Sequence, residues 1–291
     1  GNTFMRVVSE LLKPIRSFAE PFIDDFAIYS SNWDEHLGHL TEFLSLIQEQ
    51  GLTLNLKKCR FAQGQITFLG HVIGSGHIAP DPVKISTIND IKPPVNKKEV
   101  KRLIGFFSYF RNYIPHLAET AYALTELTKK SMPNKVDWKE KHQMALDKLI
   151  LNLSNYTELN TIDYTQPFGL STDASSIAVG CCLFQWDKNN QEIPIAFASR
   201  KLTSTQARWS TIEREAYAVV WALNKFRQWI LFSRVVVFSD HNPLTYLTEA
   251  APKSAKLNRW ALALQEYDLA FKYRKGRDNV VADFLSRGLS V

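Results

Sequence analysis

The 291-residue sequence predicts a mixed α/β protein built in more than one part. Three features carry that reading. In the C-terminal half, three strand-like runs follow one another across short polar turns, and two further strands are each reached through a helix. The order βββ-α-β-α-β-α, a meander continued by crossover strands, makes a mixed five-stranded sheet. Ahead of it, amphipathic helices begin after the break KPPV at Lys92–Val95. Near the N-terminus an apolar strand, PFIDDFAIYS, is interrupted by two adjacent carboxylates, Asp24 and Asp25.

Taken in order, residues 3–12 read as a helix broken near Pro14. Phe22, Ile23, Phe26, Ile28 and Tyr29 suit a strand that is to be buried. Ser31 or Asn32 caps a helix from Trp33 to about Gln50, and Gly51 stops it. LTLNLKKCRF alternates as a strand does, and QITFLGHVIGSGHIAP reads as a strand, a Gly-rich turn and an exit. Beyond KPPV, NKKEVKRLIGFFSYFRNYI is an amphipathic helix. Val100, Leu103, Ile104, Phe107 and Phe110 share one side, and Lys97, Lys98, Lys101 and Arg102 share the other. Pro115 ends it, and helices follow at about 118–130 and from near Trp138 to about Leu153. The polar SNYTELNTIDYTQ reads as a loop and marks the main boundary.

Then PFGLSTDAS, IAVGCCLFQWD and IPIAFASRKL are strands and RWSTIEREAYAVVWALNKFRQWI is a long helix. RVVVFSD is a strand ending on a carboxylate, AKLNRWALALQEY a helix, LAFKYRKG a strand and NVVADFLSR a last helix. The segment from about Asp163 to Gly288 is expected to fold alone, its own strands and helices closing one sheet.

Hydrophobic content of 45% and charged content of 22% are those of an ordinary soluble globular protein. No apolar run approaches the roughly 20 residues that span a bilayer, and no basic-then-apolar signal segment opens the chain. It opens without an initiator Met, as a piece cut from a longer polypeptide would. Cys59, Cys181 and Cys182 make no disulfide framework and read as small buried hydrophobes of a reducing compartment. His36 and His39 lie three apart on a helix with no cysteine pair nearby, so they read as a solvated face rather than a zinc site. Residues 86–130 carry eight Lys/Arg against four Asp/Glu, and residues 166–291 sixteen against eleven. Two basic segments around a neutral one point to a polyanionic partner.

The carboxylates of the second half form a pattern. Asp173 ends the first strand of the sheet and Asp240 the fourth, so if these strands are central and adjacent the two side chains meet at one edge. Glu215 lies on the helix stripe Glu215, Val219, Ala222, Leu223, Phe226, which faces the sheet, whereas Glu213 lies about 200° around the helix. Asp283 falls in the first turns of the last helix. Any one of these acids alone reads as a cap or a solvated strand end. Four converging acids repel one another unless a cation lies between them, and oxygen-only ligands favour Mg²⁺ or Mn²⁺. Two such ions suit in-line attack of water on a phosphodiester.

STDAS, EREAYAVVWAL, FSDH and DNVVADFLSR resemble the RNase H domain of gypsy-type LTR retrotransposon Pol polyproteins. FIDDFAIYS, HLGHLTEFLSLIQEQGLTLNLKKCRF and FLGHVIGSGHIAPDPVKI resemble the palm of that family's reverse transcriptase, and EVKRLIGFFSYFRNYIPHLAETAYALTELTKK resembles its thumb. The resemblance covers nearly the whole chain in the right order. It implies an α+β palm remnant over 1–85, a thumb and helical tether over 86–160, and an RNase H-like mixed five-stranded α/β domain over 161–291.

Carried over position by position, Asp173, Glu215, Asp240 and Asp283 match the four metal-binding acids of RNase H. Asp173 and Asp240 would bridge two Mg²⁺ ions, with Mn²⁺ able to substitute, Glu215 would hold one ion, and Asp283 would be a more mobile fourth ligand. Asp24 and Asp25 match the paired aspartates of the polymerase metal site. Their earlier partner Asp would lie upstream of this chain, which leaves the RNA-directed DNA polymerase site incomplete in it. YRKGRDNVVAD lacks the His that cellular and retroviral enzymes carry before the last Asp, which leaves open the group that assists product departure, with Arg277 a candidate.

Lys97, Lys98, Lys101 and Arg102 could track a phosphate backbone, and Arg200, Lys201, Arg274, Lys275 and Arg277 flank the acids in the sequence. Ser175, Ser176 and Asn242 are candidates for 2′-hydroxyl contacts, while Trp209, Trp221, Trp229 and Trp260 fall on helices as core. The resemblance implies metal-dependent endonucleolytic hydrolysis of the RNA strand of RNA–DNA hybrids. Hybrid, template–primer and the rest of the Pol polyprotein would be the partners, inside the cell in cytoplasm, virus-like particle or nucleus. The rival is a non-catalytic nucleic-acid- or protein-binding derivative of such an element, and the intact acids favour the enzyme.

Overall fold

The computed structural model describes residues 2–23, 25–156, 158–239 and 255–274. The chain divides into two compact units, residues 1–69 and 70–291.

In the first unit, α1 (Asn2–Leu11) leads through a 3-10 turn at Lys13–Ile15 into β1 (Ala19–Phe22), β2 (Asp25–Ile28), α2 (Trp33–Glu49) and β3 (Gln65–Phe68). β1 and β2 pair antiparallel with Phe22 opposite Asp25. Val8, Leu12, Ile15, Phe18, Ala19, Phe43 and Ile47 form the core. The Asn32 side chain caps α2 by accepting from the Glu35 amide at 2.9 Å. Gly51, at φ +66°, follows the helix in the left-handed region that glycine adopts freely.

Two expectations change here. Residues 52–61 are coil and turn rather than strand. The Asn55 side chain accepts from the Lys57 amide at 3.2 Å and its carbonyl accepts from the Lys58 amide at 2.9 Å, a local bonding pattern that competes with a ladder. His39 stacks on Phe18 at 3.8 Å and its Nδ1 lies 2.8 Å from the Ser30 hydroxyl, so this helix face is packed rather than simply solvated.

The second unit opens with the hairpin β4 (His71–Gly74) and β5 (His77–Pro80). The expected exit is therefore a strand. The segment read as a polar loop contributes another, β6 (Leu159–Asn160), which pairs Ile78 with Leu159. Between them lie α3 (Pro82–Ser86), α4 (Lys97–Tyr109), α5 (Leu117–Thr120), α6 (Tyr122–Glu126) and α7 (Glu140–Ser154). Two short helices thus replace the single one expected at 118–130.

The sheet follows: β7 (Phe168–Ala174), β8 (Ala178–Trp186), β9 (Glu192–Lys201), α8 (Thr211–Ile230), β10 (Arg234–Ser239), α9 (Ala255–Leu264) and β11 (Asp268–Tyr273). Its order is β11-β10-β7-β8-β9. β7 is central, antiparallel to β8 and parallel to β10. One face packs Phe168, Leu170, Leu183, Val235 and Val237 against Val219, Leu223 and Phe226 of α8. The other face does not close on the sheet's own described helices. Cys182, Phe184, Phe197 and Phe238 share a core with Val100, Phe107, Ile114, Leu124, Leu146 and Leu149 of the preceding helical segment. The sign of this was in β8. AVGCCLFQ is buried at every position, the unbroken apolar run of a strand covered on both faces, where a half-buried strand would alternate.

Gly169 sits opposite Phe184 on β8. A Cβ there would come within 2.3 Å of the Phe184 ring. Gly169→Ala is therefore expected to cost about 1–3 kcal/mol through overpacking, read as a lowered melting temperature of the whole chain. An unchanged melt would show that the ring moves aside freely.

Candidate active site

The turn after β7 sets the position of Asp173. The Ser175 amide donates to the Ala178 carbonyl at 2.9 Å, and the Ala178 amide donates back to the Ser175 hydroxyl at 3.0 Å. This tight turn ends the central strand one residue after Asp173 and commits Ser175 to the backbone. Asp173 is exposed and lies opposite Gly180 of β8. It lines a small cleft with Ser171, Thr172, Gly180 and Phe197 of the sheet and with Pro115 and His116 from the turn before α5.

Glu215 lies in the second turn of α8 and is 3% exposed, on the same side as the buried Val219, Ala222, Leu223 and Phe226. The helix packs across β7. Ser210 begins it with a reciprocal cap: its hydroxyl accepts from the Glu213 amide and its own amide donates to the Glu213 carboxylate. Glu213 also pairs with Lys256 of α9 at 2.6 Å. The Lys256 ammonium, ahead of the cap, holds the Glu213 carboxyl below the usual range. Glu213 thus has a helix-start role distinct from that of its buried neighbour.

β10 ends at Ser239, with Phe238 opposite Ser171 of β7. The hydroxyls of Thr172 and Ser239 are buried and have no hydrogen-bond partner among the described residues. Asp240 and Asp283 lie outside the described residues, as do Asp24, Asn242, Lys275 and Arg277. Among the described residues no group of three or more metal-ligating side chains forms. Asp25 begins β2 and is exposed.

The basic candidates divide. Lys98, Lys101, Arg102 and Arg200 are exposed. Lys97 donates from Nζ to the Lys129 carbonyl at 2.6 Å. Lys201 pairs with Glu126 at 2.5 Å and sits 4.1 Å from the Tyr122 ring centre. Arg274 grips the Glu192 carboxylate with both terminal nitrogens and lies over the Phe238 ring at 3.9 Å. Trp221, Trp229 and Trp260 pack against the sheet core. Trp209 precedes α8 instead of lying on a helix, and it clusters with Tyr217 and Trp260. His116 was not singled out from the sequence; neither periodicity nor motif marks it, because its place depends on how the helices meet the sheet.

A central strand ending in an acid, a buried acid on the helix across it, and a sheet of this order define the RNase H-like class. Residues 163–267 match the RNase H-like domain found in reverse transcriptase, and residues 1–73 match the reverse transcriptase (RNA-dependent DNA polymerase) family. The chain is 34% identical over 98% of its length to the retrovirus-related Pol polyprotein from transposon opus of Drosophila melanogaster, spanning 29% of that protein. It is 36% identical, again over 98% of its length, to the Pol polyprotein from transposon 412 of the same organism, spanning 23% of it. A foamy viral protease-reverse transcriptase solved in complex with RNA/DNA hybrid matches at TM-score 0.78 and 25% identity, over 94% of this chain and 38% of that one. A form solved with double-stranded DNA matches in fold at TM-score 0.82 and 24% identity, over 94% of this chain and 49% of that one. The chain belongs to the retrotransposon Pol polyproteins and carries their reverse transcriptase and RNase H-like domains. It spans less than a third of the length of these curated relatives. No helix among the described residues is long and apolar enough to cross a membrane.

Proposed function

We propose that this chain hydrolyses the RNA strand of RNA–DNA hybrids at the sheet edge around Asp173. Asp173, Glu215, Asp240 and Asp283 would hold two Mg²⁺ ions, with Mn²⁺ able to substitute. The observation that carries this reading is the pairing of an exposed acid at the end of the central strand, open to a cleft, with a buried acid on the helix packed across that strand. The donor set fits a hard cation. It is oxygen-only. When bound, the ions would activate water and stabilise the departing oxygen.

The chain's own residues supply placement. The turn at Ser175 presents Asp173 to the cleft, and α8 holds Glu215 rigid. Lys98, Lys101, Arg102 and Arg200 offer charge to hybrid phosphates. Lys97, Lys201 and Arg274 already bind protein groups, so they hold the fold before they hold nucleic acid. Asp25, with Asp24, is assigned to the polymerase metal site of the parent protein, and the remainder of that polyprotein is a partner.

Cleavage of a labelled RNA strand within a hybrid, in Mg²⁺ and then in EDTA, tests the reading. Cutting that EDTA stops supports it. Hybrid binding without cutting in either buffer would favour the non-catalytic derivative. The exposed helix face has its own test. Lys98, Lys101 and Arg102 changed together to Ala should flatten the salt dependence of duplex binding by up to about 2.7 in log K against log salt, at roughly 0.9 per lost phosphate contact. An unchanged slope would make this face a solvated surface.

A further inference from the structure

The cleft beside Asp173 is not built from the sheet alone. Asp173, Gly180 and Ser199 form one cross-strand row over β7, β8 and β9. The His116 imidazole lies over the middle of that row. A Cβ on Gly180 would meet Nδ1 at 3.1 Å and Cε1 at 3.3 Å, so the ring lies directly against the Gly180 backbone. The same row anchors the segment that brings the ring, because the Ala118 amide donates to the Ser199 hydroxyl at 2.8 Å. His116 itself adopts the left-handed conformation, φ +49° and ψ +30°, which is uncommon for a residue with a Cβ although His and Asn tolerate it better than most. Its carbonyl is fixed by the amides of Glu119 and Thr120, each at 3.0 Å. Nδ1 faces Gly180 on one side and Glu119, at 3.9 Å, on the other, which leaves Nε2 as the nitrogen available to a ligand in the cleft.

Adjacent strands lie about 4.8 Å apart, so a ring over Gly180 stands one strand spacing from the backbone of Asp173. An imidazole in an open cleft at that distance from a hybrid-processing acid has one obvious class of ligand, the nucleic-acid backbone. We infer that His116 is a substrate contact of this site, donating from its imidazole to a phosphate oxygen of the hybrid bound against Asp173. The inference rests on the nuclease reading above and extends it, making the site a joint product of the sheet and the helical segment.

The test uses the full chain and a labelled RNA–DNA hybrid, with binding measured in EDTA and cleavage kinetics in Mg²⁺. His116→Gly removes the imidazole while keeping the left-handed backbone unstrained, and His116→Gln keeps an amide donor near the position of Nε2. His116→Gly should weaken hybrid binding in EDTA by about 10–100-fold, the scale of one hydrogen bond to a charged group, and raise KM with little change in kcat. His116→Gln should bind within about 3-fold of the parent. Parental binding by His116→Gly, or equal losses in the Gly and Gln variants at equal melting temperature, overturns the inference. Asp173→Asn in the same assays separates the two levels. If it cuts as the parent does, the nuclease reading falls; if it is dead while His116→Gly binds normally, only the role of His116 falls.

Discussion

Asp173→Asn is expected to abolish cleavage of the RNA strand, lowering the rate by about 10³-fold or more, on the order of 4 kcal/mol of barrier. The substitution keeps the size of the side chain and removes the charge that an ion would require. Asp173 is exposed at the end of β7, so the fold should survive and the melting temperature should stay near the parental one. Glu213→Gln is the control. It weakens the cap at Ser210 and the pair with Lys256, at a cost of about 1 kcal/mol, yet should cut at the parental rate. A single time course on parent, Asp173→Asn and Glu213→Gln decides the matter. Parental cutting by the Asn variant would remove Asp173 from the chemistry, and a dead Gln variant with a normal melt would shift the site toward the helix start.

The second large effect concerns the boundary near residue 160. A fragment of residues 161–291 is expected to lose cooperative folding, whereas residues 70–291 should melt as one unit. Cutting there uncovers Phe184, Phe197 and Phe238, whose burial against the helical segment contributes about 1.5–3 kcal/mol each. Their sum is comparable with the roughly 5–15 kcal/mol that holds a whole domain together. The cut also removes the partner of Lys201, the bond from Ala118 to Ser199 and the β5–β6 pairing. Near-ultraviolet circular dichroism and a thermal melt of the two fragments provide the comparison. A sharp melt of the shorter fragment matching the longer one would show that the sheet closes without those helices.

The placement of Asp173 and Glu215 was legible in the sequence, and the reason is local. STDAS places an acid at a strand end because a turn must follow it, and the 3.6-residue stripe through Glu215 puts that acid on the sheet side of α8, where it is buried. The cap at Asn32 and the stop at Gly51 were likewise readable, since each is set by one residue's own backbone preferences. The basic residues were less legible. Lys201 and Arg274 look like free charge in sequence, but their partners Glu126 and Glu192 lie 75 and 82 positions away.

By itself, then, the sequence determined the order of the described strands and helices of the sheet, the placement of Asp173 and Glu215 on them, and the family to which the chain belongs. These depend on periodicity, turn chemistry and motif spacing, all of which act over a few residues. The tertiary structure alone decided what covers the second face of the sheet and what stands beside Asp173. A strand buried on both faces says that something must cover it without saying what, and β8 found its cover in α4–α7. His116 lies against Gly180 in the cleft, and Ser199 holds its segment there. No local rule joins residues 116, 180 and 199; packing across the sheet does.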